Sequence, residues 1–275
     1  MFADDAYLSL SNKNPKVLEK EVNHELSKVM DWLIINKLSL NLKKTTYLTI
    51  TNRKISHTFN IKIGNYTLTE SSEVKYLGVV MDNRLSWKPH LQYVRNKVAS
   101  GCWALSKIRQ FLDKAAMSTI YYGLIYQHLQ YCISCWGGAA PSNLLKLATL
   151  QKRAVRFICN APRRAHTNSL FSMLNMLKLE DIYRFQISKI MHKINNNNWF
   201  CGFNLIRTET IHKYNTRFSN SYNFFTTSDN LSPKSIHKVG PRVWRKIPND
   251  FKVLNFNLFK KHFRKHITDS YIGNS

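Results

Sequence analysis

Two adjacent carboxylates near the start of the sequence have the residue types best suited to chemistry. Asp4 and Asp5 follow Phe2 and Ala3, and residues 6–11 then alternate apolar and polar side chains, which predicts a half-buried strand. Neighbouring carboxylates resist joint ionisation, because like charges at close range repel. A divalent cation relieves that cost, and Mg²⁺ commonly binds one or two protein carboxylates together with phosphate oxygens of a substrate. An ordinary solvated turn, in which Asp is common, is the alternative interpretation of the pair.

A partial zinc-ligand pattern lies further along, where His128 precedes Cys132 and Cys135. A structural zinc site needs four ligands, usually as two pairs, and no second pair lies at a matching spacing. Both cysteines fall in an apolar stretch predicted to be helical, where free cysteine is commonly buried. We therefore expect core packing rather than a metal site. The five cysteines have no framework spacing, which favours a reducing compartment.

The formal net charge of +25 predicts a polyanionic partner. Residues 1–100 hold 15 Lys+Arg and 9 Asp+Glu, whereas residues 101–275 hold 26 and 7, a net charge of +19. Seven acids are too few to pair with most of these bases. Nucleic acid is the first expectation and an anionic membrane surface is the alternative. A hydrophobic content of 44% excludes a disordered tail.

One group of bases faces away from the predicted core of its helix. On a helix predicted for about 142–159, the apolar face is formed by Leu147, Leu150 and Phe157. The candidate nucleic-acid-binding residues, on the other face of this helix and just beyond it, are Lys152, Arg153, Arg156, Arg163 and Arg164. Bases in this arrangement suit backbone phosphates, which bind without sequence preference. The alternative is a merely solvated surface.

Proline, glycine and apolar spacing predict the elements that position these residues. Asn14-Pro15 predicts the start of a helix that ends near Asn36. Strands are predicted over 38–42, 46–50 and 74–81, and a hairpin over 59–68 with Gly64-Asn65 as its turn. Past residue 87, apolar residues at three- and four-residue spacing predict helices over about 91–112, 114–136, 142–159, 169–176, 180–195 and 256–267. The predicted fold class is therefore α+β, with a helical bundle in the middle of the chain.

The predicted helix over 114–136 has an apolar stripe formed by Met117, Tyr121, Leu124, His128, Tyr131 and Cys135. Residues 115–145 carry no formal charge, but they include too many polar side chains for a membrane span. The beginning of the sequence also has no secretory signal. We therefore expect an intracellular protein of the nucleus or cytoplasm that is neither secreted nor inserted in a membrane.

In their order along the chain, these features resemble the reverse transcriptase of non-LTR (LINE-type, jockey-like) retrotransposons. Residues 2–5 are similar to the [YF]-A-D-D box of that family, and residues 32–45 are similar to its block W-x₃-N-x-L-x-L-N-x-x-K-T. The Y-L-G strand of the family is matched by residues 75–79, and the approach to its thumb is matched by 85–90. Further similar blocks lie at 150–154, 164–167, 214–217 and 240–244. The resemblance spans almost the whole chain and implies an RNA-directed DNA polymerase, a nucleotidyltransferase.

The resemblance also implies a role for each matching residue. Asp4 would bind the Mg²⁺ ions that activate the primer 3′-hydroxyl and steady the leaving pyrophosphate, and Asp5 would support the metal site or the primer end. Lys44 would approach the triphosphate, although its spacing alone favours a solvated lysine at a strand end. The primer grip would be shaped by Tyr76, Leu77 and Gly78, for which core packing is the alternative. The implied partners are an RNA template, a DNA primer and deoxynucleotide triphosphates.

One departure from the family pattern implies a truncated copy. The polymerases of the family need a further metal-binding Asp from an upstream palm strand, and fingers that hold the nucleotide, and neither precedes residues 2–5. Met1 would then be an internal methionine, and the fragment is expected to be inactive on its own. The expected domains are the end of a palm at 1–85, a helical thumb-like bundle at 86–195 and a basic, aromatic C-terminal region at 196–275. A nucleic-acid-binding module without catalysis is the alternative function.

Overall fold

A computed structural model of the chain describes residues 6–53, 56–196 and 235–272. The chain divides into two compact units, Met1–Pro89 and His90–Ser275. The described residues are mostly helical with a few short strands, in keeping with the α+β class. The carboxylate pair at residues 4 and 5, the block at 214–217 and the aromatic residues around 218–225 lie outside the described residues.

Helix α1, Pro15–Ile35, begins as the sequence predicts. The side chain of Asn14 accepts a hydrogen bond from the backbone N–H of Lys16, and Pro15 occupies the first helical position. The side chain of Asn23 donates to the carbonyl oxygen of Asn60 at 3.0 Å and accepts from the backbone N–H of Lys62 at 2.8 Å. These two bonds join the middle of α1 to the neighbouring hairpin.

Among the described residues of the first unit, the strands are short and form three separate two-stranded sheets. They are β1 Thr46–Tyr47, β2 Lys62–Ile63, β3 Tyr66–Thr67, β4 Thr69–Glu70, β5 Glu73–Tyr76 and β6 Val79–Asp82. Strand β1 pairs in parallel with β4, whereas β2–β3 and β5–β6 are antiparallel. The predicted hairpin over 59–68 is confirmed, with Gly64 at a φ of 56° in its turn. Its buried residues, packed beneath α1, are Ile61, Ile63 and Leu68.

Three strand predictions in the first unit are wrong. Residues 6–11 form no strand, and Tyr7 and Leu8 are exposed. Residues 38–42 also form no strand, although Leu40 and Leu42 pack against the core of the hairpin. Their apolar alternation reflects burial of the side chains without backbone pairing. Residues 74–81, predicted as one strand, form the β5–β6 hairpin instead.

The helices of the rest of the chain follow one another with short joins. They are α2 Lys88–Ile108, α3 Lys114–Tyr121, a π-helical turn Tyr122–Tyr126, α4 Gln127–Gln130, α5 Ile133–Trp136, α6 Pro141–Ile158, α7 Asn168–Met173 and α8 Leu179–Asn195. After the undescribed segment come α9 Ile236–Arg245, α10 Asn249–Lys252 and α11 Phe256–Asp269. None of the helices in the described part of the chain has the length and apolar character that a membrane span requires.

The predicted helix over 114–136 is interrupted twice. The π-helical turn holds more residues than an α-helical turn, and Cys132, at a φ of 48°, ends the helix before α5 begins. The wide turn changes which positions face the core, so that every fourth residue is buried: Met117, Tyr121, Ile125, Leu129 and Ile133. The predicted stripe is therefore wrong after Tyr121, because Leu124, Tyr131 and Cys135 are exposed.

The C-terminal helices α9 and α11 pack on α8. The buried ring of His192, on α8, stacks on Phe259 with centroids 4.5 Å apart, and its Nε2 lies 2.8 Å from the carbonyl oxygen of Leu254. At the other end of α8, the hydroxyl of Tyr271 donates to the Asp181 carboxylate at 2.6 Å. Residues 235–272 thus share one core with the helices before the undescribed segment.

The close approach of α2 to the π-helical turn predicts the effect of a glycine substitution. A Cβ added at Gly101 would lie 2.6 Å from Cγ1 of Ile125 and 3.2 Å from the carbonyl oxygen of Leu124. We expect Gly101→Ala to lower the free energy of unfolding by about 1–3 kcal/mol, because the core is overpacked. Urea unfolding followed by circular dichroism measures this change.

Gly123→Ala is the matched control for that experiment, because an added Cβ there meets nothing within 4 Å. Alanine favours helix over glycine by about 1 kcal/mol, so the control is expected to be neutral or slightly stabilising. Equal stability of the two variants would show that α2 and the π-helical turn do not approach each other closely.

Candidate nucleic-acid interface

The proposed metal ligands Asp4 and Asp5 lie outside the described residues. Within the described ranges, no group of three or more His, Cys, Asp or Glu side chains could hold a metal ion. Cys132 is half-buried at the break between α4 and α5, and Cys135 is exposed, so the expectation that both are packed in a core is wrong for Cys135. The remaining candidate residues lie on two turns of the first unit and on α6 with the loop after it.

Lys44 lies in the turn between α1 and β1. The carbonyl oxygen of Asn41 accepts hydrogen bonds from the backbone N–H groups of Lys44 and Thr45, both at 3.1 Å, and from the Thr45 hydroxyl at 2.9 Å. This one carbonyl holds the turn closed, and the Lys44 side chain is exposed to solvent. The following residue pair, Thr46 with Thr69, begins the β1–β4 ladder. The turn therefore holds an accessible ammonium group at the beginning of a strand.

Residues 76–78 form the tip of the β5–β6 hairpin. Tyr76 pairs with Val79, so Leu77 and Gly78 are the two turn residues, with φ values of 44° and 78°. Positive φ at both positions is the pattern of the type I′ turn, which matches the twist of the strands. Glycine adopts it without strain, whereas Leu77 does so at a cost of about 1–2 kcal/mol. The ring of Tyr76 lies beside that of Tyr7, with centroids 5.0 Å apart.

Asp82 closes the other end of this hairpin. Its carboxylate accepts hydrogen bonds from the backbone N–H groups of Ser86 at 3.0 Å and Trp87 at 2.9 Å. Burial alone would raise the pKa of Asp82, but these backbone bonds favour the charged form and leave the pKa lowered. Leu85 and Trp87, both at positive φ, are thereby held in the tight connection that leads into α2.

Four of the five predicted phosphate-binding side chains are exposed on α6 and the following loop: Lys152, Arg153, Arg163 and Arg164. The fifth, Arg156, is half-buried, and its Nε donates to the carbonyl oxygen of Ala165 at 2.9 Å. That bond connects α6 to the loop that bears Arg163 and Arg164. Arg156 therefore has a structural partner within the protein, whereas the other four are accessible to solvent.

The orientation of α6 depends on the buried side chain of Gln151. Its Nε2 donates to the hydroxyl of Tyr121 and to the carbonyl oxygen of Leu177, both at 2.9 Å, and its Oε1 accepts from the backbone N–H of Leu179 at 2.8 Å. Because Gln151 points inward, the two residues that follow it turn toward solvent. Gln151 is a positioning residue that the sequence does not reveal, since a glutamine on a basic helix gives no signal of burial.

The ring of Phe157 is contacted by two guanidinium groups. Arg153 is 5.4 Å from its centroid and Arg109, just after α2, is 5.5 Å from it. Such cation–π contacts are worth about 0.5–1 kcal/mol at exposed sites. They order the Arg153 side chain while leaving its charge accessible. Arg109 was also missed, because only the packing of α2 beside α6 brings it to this ring.

Comparisons with known proteins identify the relatives of the chain. A probable RNA-directed DNA polymerase from transposon BS of Drosophila melanogaster is 27% identical over 188 residues, covering 66% of this chain and 20% of the relative. The RNA-directed DNA polymerase from mobile element jockey of the same species is 26% identical over 198 residues, covering 70% of this chain and 21% of the relative. A probable RNA-directed DNA polymerase from transposon X-element of that species is 24% identical over 161 residues, covering 57% of this chain and 18% of the relative.

The homologues of this chain are RNA-directed DNA polymerases of non-LTR retrotransposons. The resemblance stated from the sequence motifs is therefore confirmed. The chain spans about a fifth of the length of the relatives it matches. No family model and no solved structure matches it.

The lowered pKa of Asp82 predicts how stability depends on pH near the hairpin. A carboxyl with a lowered folded-state pKa stabilises the fold fully above its unfolded pKa, and this contribution is lost as pH falls through the folded value. We expect Asp82→Asn to reduce the free energy of unfolding by about 1 kcal/mol or more at neutral pH and by progressively less in acid. Urea unfolding followed by tryptophan fluorescence at several pH values measures this.

Asp31→Asn, at an exposed position on α1, is the control for the loss of one carboxylate. It is expected to leave the stability near the wild-type value at neutral pH. If the loss in free energy of unfolding caused by Asp82→Asn stays constant down to acid pH, the role assigned to the Asp82 carboxylate charge is wrong.

Proposed function

We propose that the chain forms part of the RNA-directed DNA polymerase of a non-LTR retrotransposon and that its helical unit holds nucleic acid for that enzyme. The homology to such polymerases carries the proposal. In it, residues 1–85 are the end of the palm, residues 86–195 are a thumb-like bundle and residues 196–275 are a basic extension. The partners of the whole enzyme are an RNA template, a DNA primer and deoxynucleotide triphosphates.

The catalytic assignments of this proposal rest on the family motifs. Asp4 and Asp5 offer the carboxylate oxygens that suit Mg²⁺, which in two-metal sites stabilises the attacking and leaving oxygens of a phosphoryl transfer. Lys44 is exposed on a closed turn, so its ammonium group is accessible to a triphosphate. The tip of the β5–β6 hairpin, at residues 76–78, would contact the primer end. A type I′ turn suits that role because its short loop holds the backbone rigidly.

The physical support for nucleic-acid binding lies on α6 and the loop after it. Four exposed cationic side chains are held there by Gln151 and by the Arg156–Ala165 bond. The helix Pro141–Ile158 contains no Asp or Glu that would neutralise them. Positive charge of this kind binds phosphates of any sequence and releases counterions. The geometry therefore favours a contact with the nucleic-acid backbone rather than with base edges.

A nucleic-acid-binding module without catalysis is a second candidate function. The observation that favours it is that the exposed bases lie in a unit with its own core, Leu105, Tyr121 and Ile182 included. Binding through this unit does not require the carboxylates at residues 4 and 5. The two candidates differ in whether the chain works as part of a polymerase or binds nucleic acid without one.

The salt dependence of binding tests the role of the four exposed bases. We expect replacement of Lys152, Arg153, Arg163 and Arg164 by Gln to weaken RNA and DNA binding on every sequence alike. Each lost phosphate contact flattens the slope of log affinity against log salt by about 0.7–0.9, so the fourfold variant is expected to flatten it by up to about 3–4. Filter binding over a range of salt concentrations measures both quantities.

A matched control removes four exposed charges from the first unit, at Lys13, Lys16, Lys20 and Lys37. Its affinity and slope are expected to stay near wild type, because residues 1–100 carry little net charge. If the fourfold α6 variant keeps both its affinity and its slope, these bases form only a solvated surface.

Primer extension tests whether these 275 residues catalyse polymerisation on their own. A polypeptide of these 275 residues is expected to leave the primer unextended in the presence of primer–template, Mg²⁺ and nucleotides, because family polymerases need a further metal-binding Asp and fingers. A helical far-UV circular-dichroism spectrum of the same preparation shows that the polypeptide is folded. Extension that disappears on Asp4→Ala would contradict this expectation.

A further inference from the structure

The exposed indole of Trp103, on α2, is not explained by packing. The indole of Trp103 is 65% exposed, which is unusual for so large an apolar group. Lys107 Nζ lies 5.9 Å from the centroid of the Trp103 ring, and Lys97 Nζ lies 5.8 Å from that of the half-exposed Tyr93. Each lysine lies over the ring four residues before it on the same helix, so each of these aromatic faces has a cation beside it.

Side-chain contacts show how α2 lies relative to α6. The Sγ of Cys102 donates to the carbonyl oxygen of Leu150 at 3.4 Å, and Arg109 contacts the ring of Phe157. The second contact lies seven residues after the first on both segments, from Cys102 to Arg109 and from Leu150 to Phe157. The two helices therefore run side by side in the same direction.

Helical rotation then brings Trp103 and Arg153 to the same side of the seam between α2 and α6. Trp103 follows Cys102 by one residue, roughly 100° of rotation, and Arg153 follows Leu150 by three residues, which amounts to roughly 60° in the opposite sense. Because the helices are parallel and face each other, opposite rotations point to the same side. Lys107, one turn after Trp103, lies on that side too. The resulting α2–α6 surface consists of Trp103, Lys107, Arg109, Arg153 and Phe157.

The chemistry of this surface indicates its occupant. Neither α2 nor α6 contains an Asp or Glu, so the charges on the surface attract a polyanion. An exposed indole next to cations suits an unpaired base followed by its phosphates, since every base has a face on which an aromatic ring can stack. A duplex has its base faces covered by neighbouring pairs and would gain nothing from the indole.

We propose that the α2–α6 surface binds single-stranded nucleic acid, with Trp103 stacked on an unpaired base and with Lys107 and Arg153 on the adjacent phosphates. The inference rests on the proposed nucleic-acid binding of the helical unit and specifies the strand state it selects. Phosphate contacts alone bind single strands and duplexes without distinction of base content. Stacking on Trp103 adds binding free energy only where the strand has an accessible base.

Trp103→Leu, compared with Trp103→Phe, tests the inference in the full chain. Three probes of equal length are used: an oligothymidylate, a strand in which every nucleotide is abasic, and a duplex. Trp103→Leu is expected to bind the oligothymidylate about 5- to 150-fold more weakly and the other two probes as wild type does. Trp103→Phe keeps a ring that stacks, so it is expected to retain most of the affinity.

Trp32→Leu, which removes an exposed tryptophan from α1, is the matched control and is expected to bind all probes normally. Far-UV circular dichroism of each variant verifies the fold. If Trp103→Leu loses affinity equally for the oligothymidylate and the abasic strand, or for neither, the stacking role is wrong. In that case the variant with Lys152, Arg153, Arg163 and Arg164 replaced by Gln decides about the proposed function. If that variant binds more weakly, nucleic-acid binding by the helical unit still holds. If it binds normally, both the stacking role and the proposed nucleic-acid binding are wrong.

Discussion

The buried amide of Gln151 satisfies three groups that come from distant parts of the chain. A polar side chain in a core stabilises the fold only when its partners are in place, because each unpaired donor or acceptor costs about 1–3 kcal/mol. Gln151 therefore requires that α3, α6 and the start of α8 meet in one arrangement. Burial raises the pKa of the Tyr121 hydroxyl, which keeps it protonated beside the amide. The basic face of α6 is presented to solvent because this arrangement fixes the rotation of the helix.

The same helical unit is extended by the C-terminal helices through α8. The contacts of His192 with Phe259 and of Tyr271 with Asp181 lie near opposite ends of α8. Burial raises the pKa of the Asp181 carboxyl, and the hydrogen bond from Tyr271 opposes that effect. Lys178 Nζ lies 3.9 Å from the Tyr271 ring centroid, so a cation covers the same phenol. The end of the described chain is thus part of the core that supports α6.

The first unit places its candidate residues on turns rather than on long strands. One carbonyl, that of Asn41, holds the turn of Lys44, and one carboxylate, that of Asp82, holds the base of the β5–β6 hairpin. Backbone positions at positive φ, such as Leu77, persist because the flanking strands are paired. The exposed ammonium group and the hairpin tip therefore have defined local positions although the sheets are small.

Local signals in the sequence determined much of the fold and the family. Asn14-Pro15 marked the start of α1, Gly64 marked the first hairpin, and the motif order predicted the homology to retrotransposon polymerases. These features depend on neighbouring residues, so spacing alone can reveal them. The exposed bases of α6 were proposed from an apolar face of Leu147, Leu150 and Phe157, of which only Leu147 is buried, because Phe157 lies beside Arg153 instead of in the core.

Only the tertiary structure decided which of these residues are free to bind. The π-helical turn moved the buried stripe after Tyr121, and Arg156 found a partner in a loop nine residues away. Gln151 is buried because three distant groups converge on it, and Trp103 joins Arg153 on one surface because α2 runs parallel to α6. Periodicity describes one helix at a time, whereas burial and partnership depend on what packs against it.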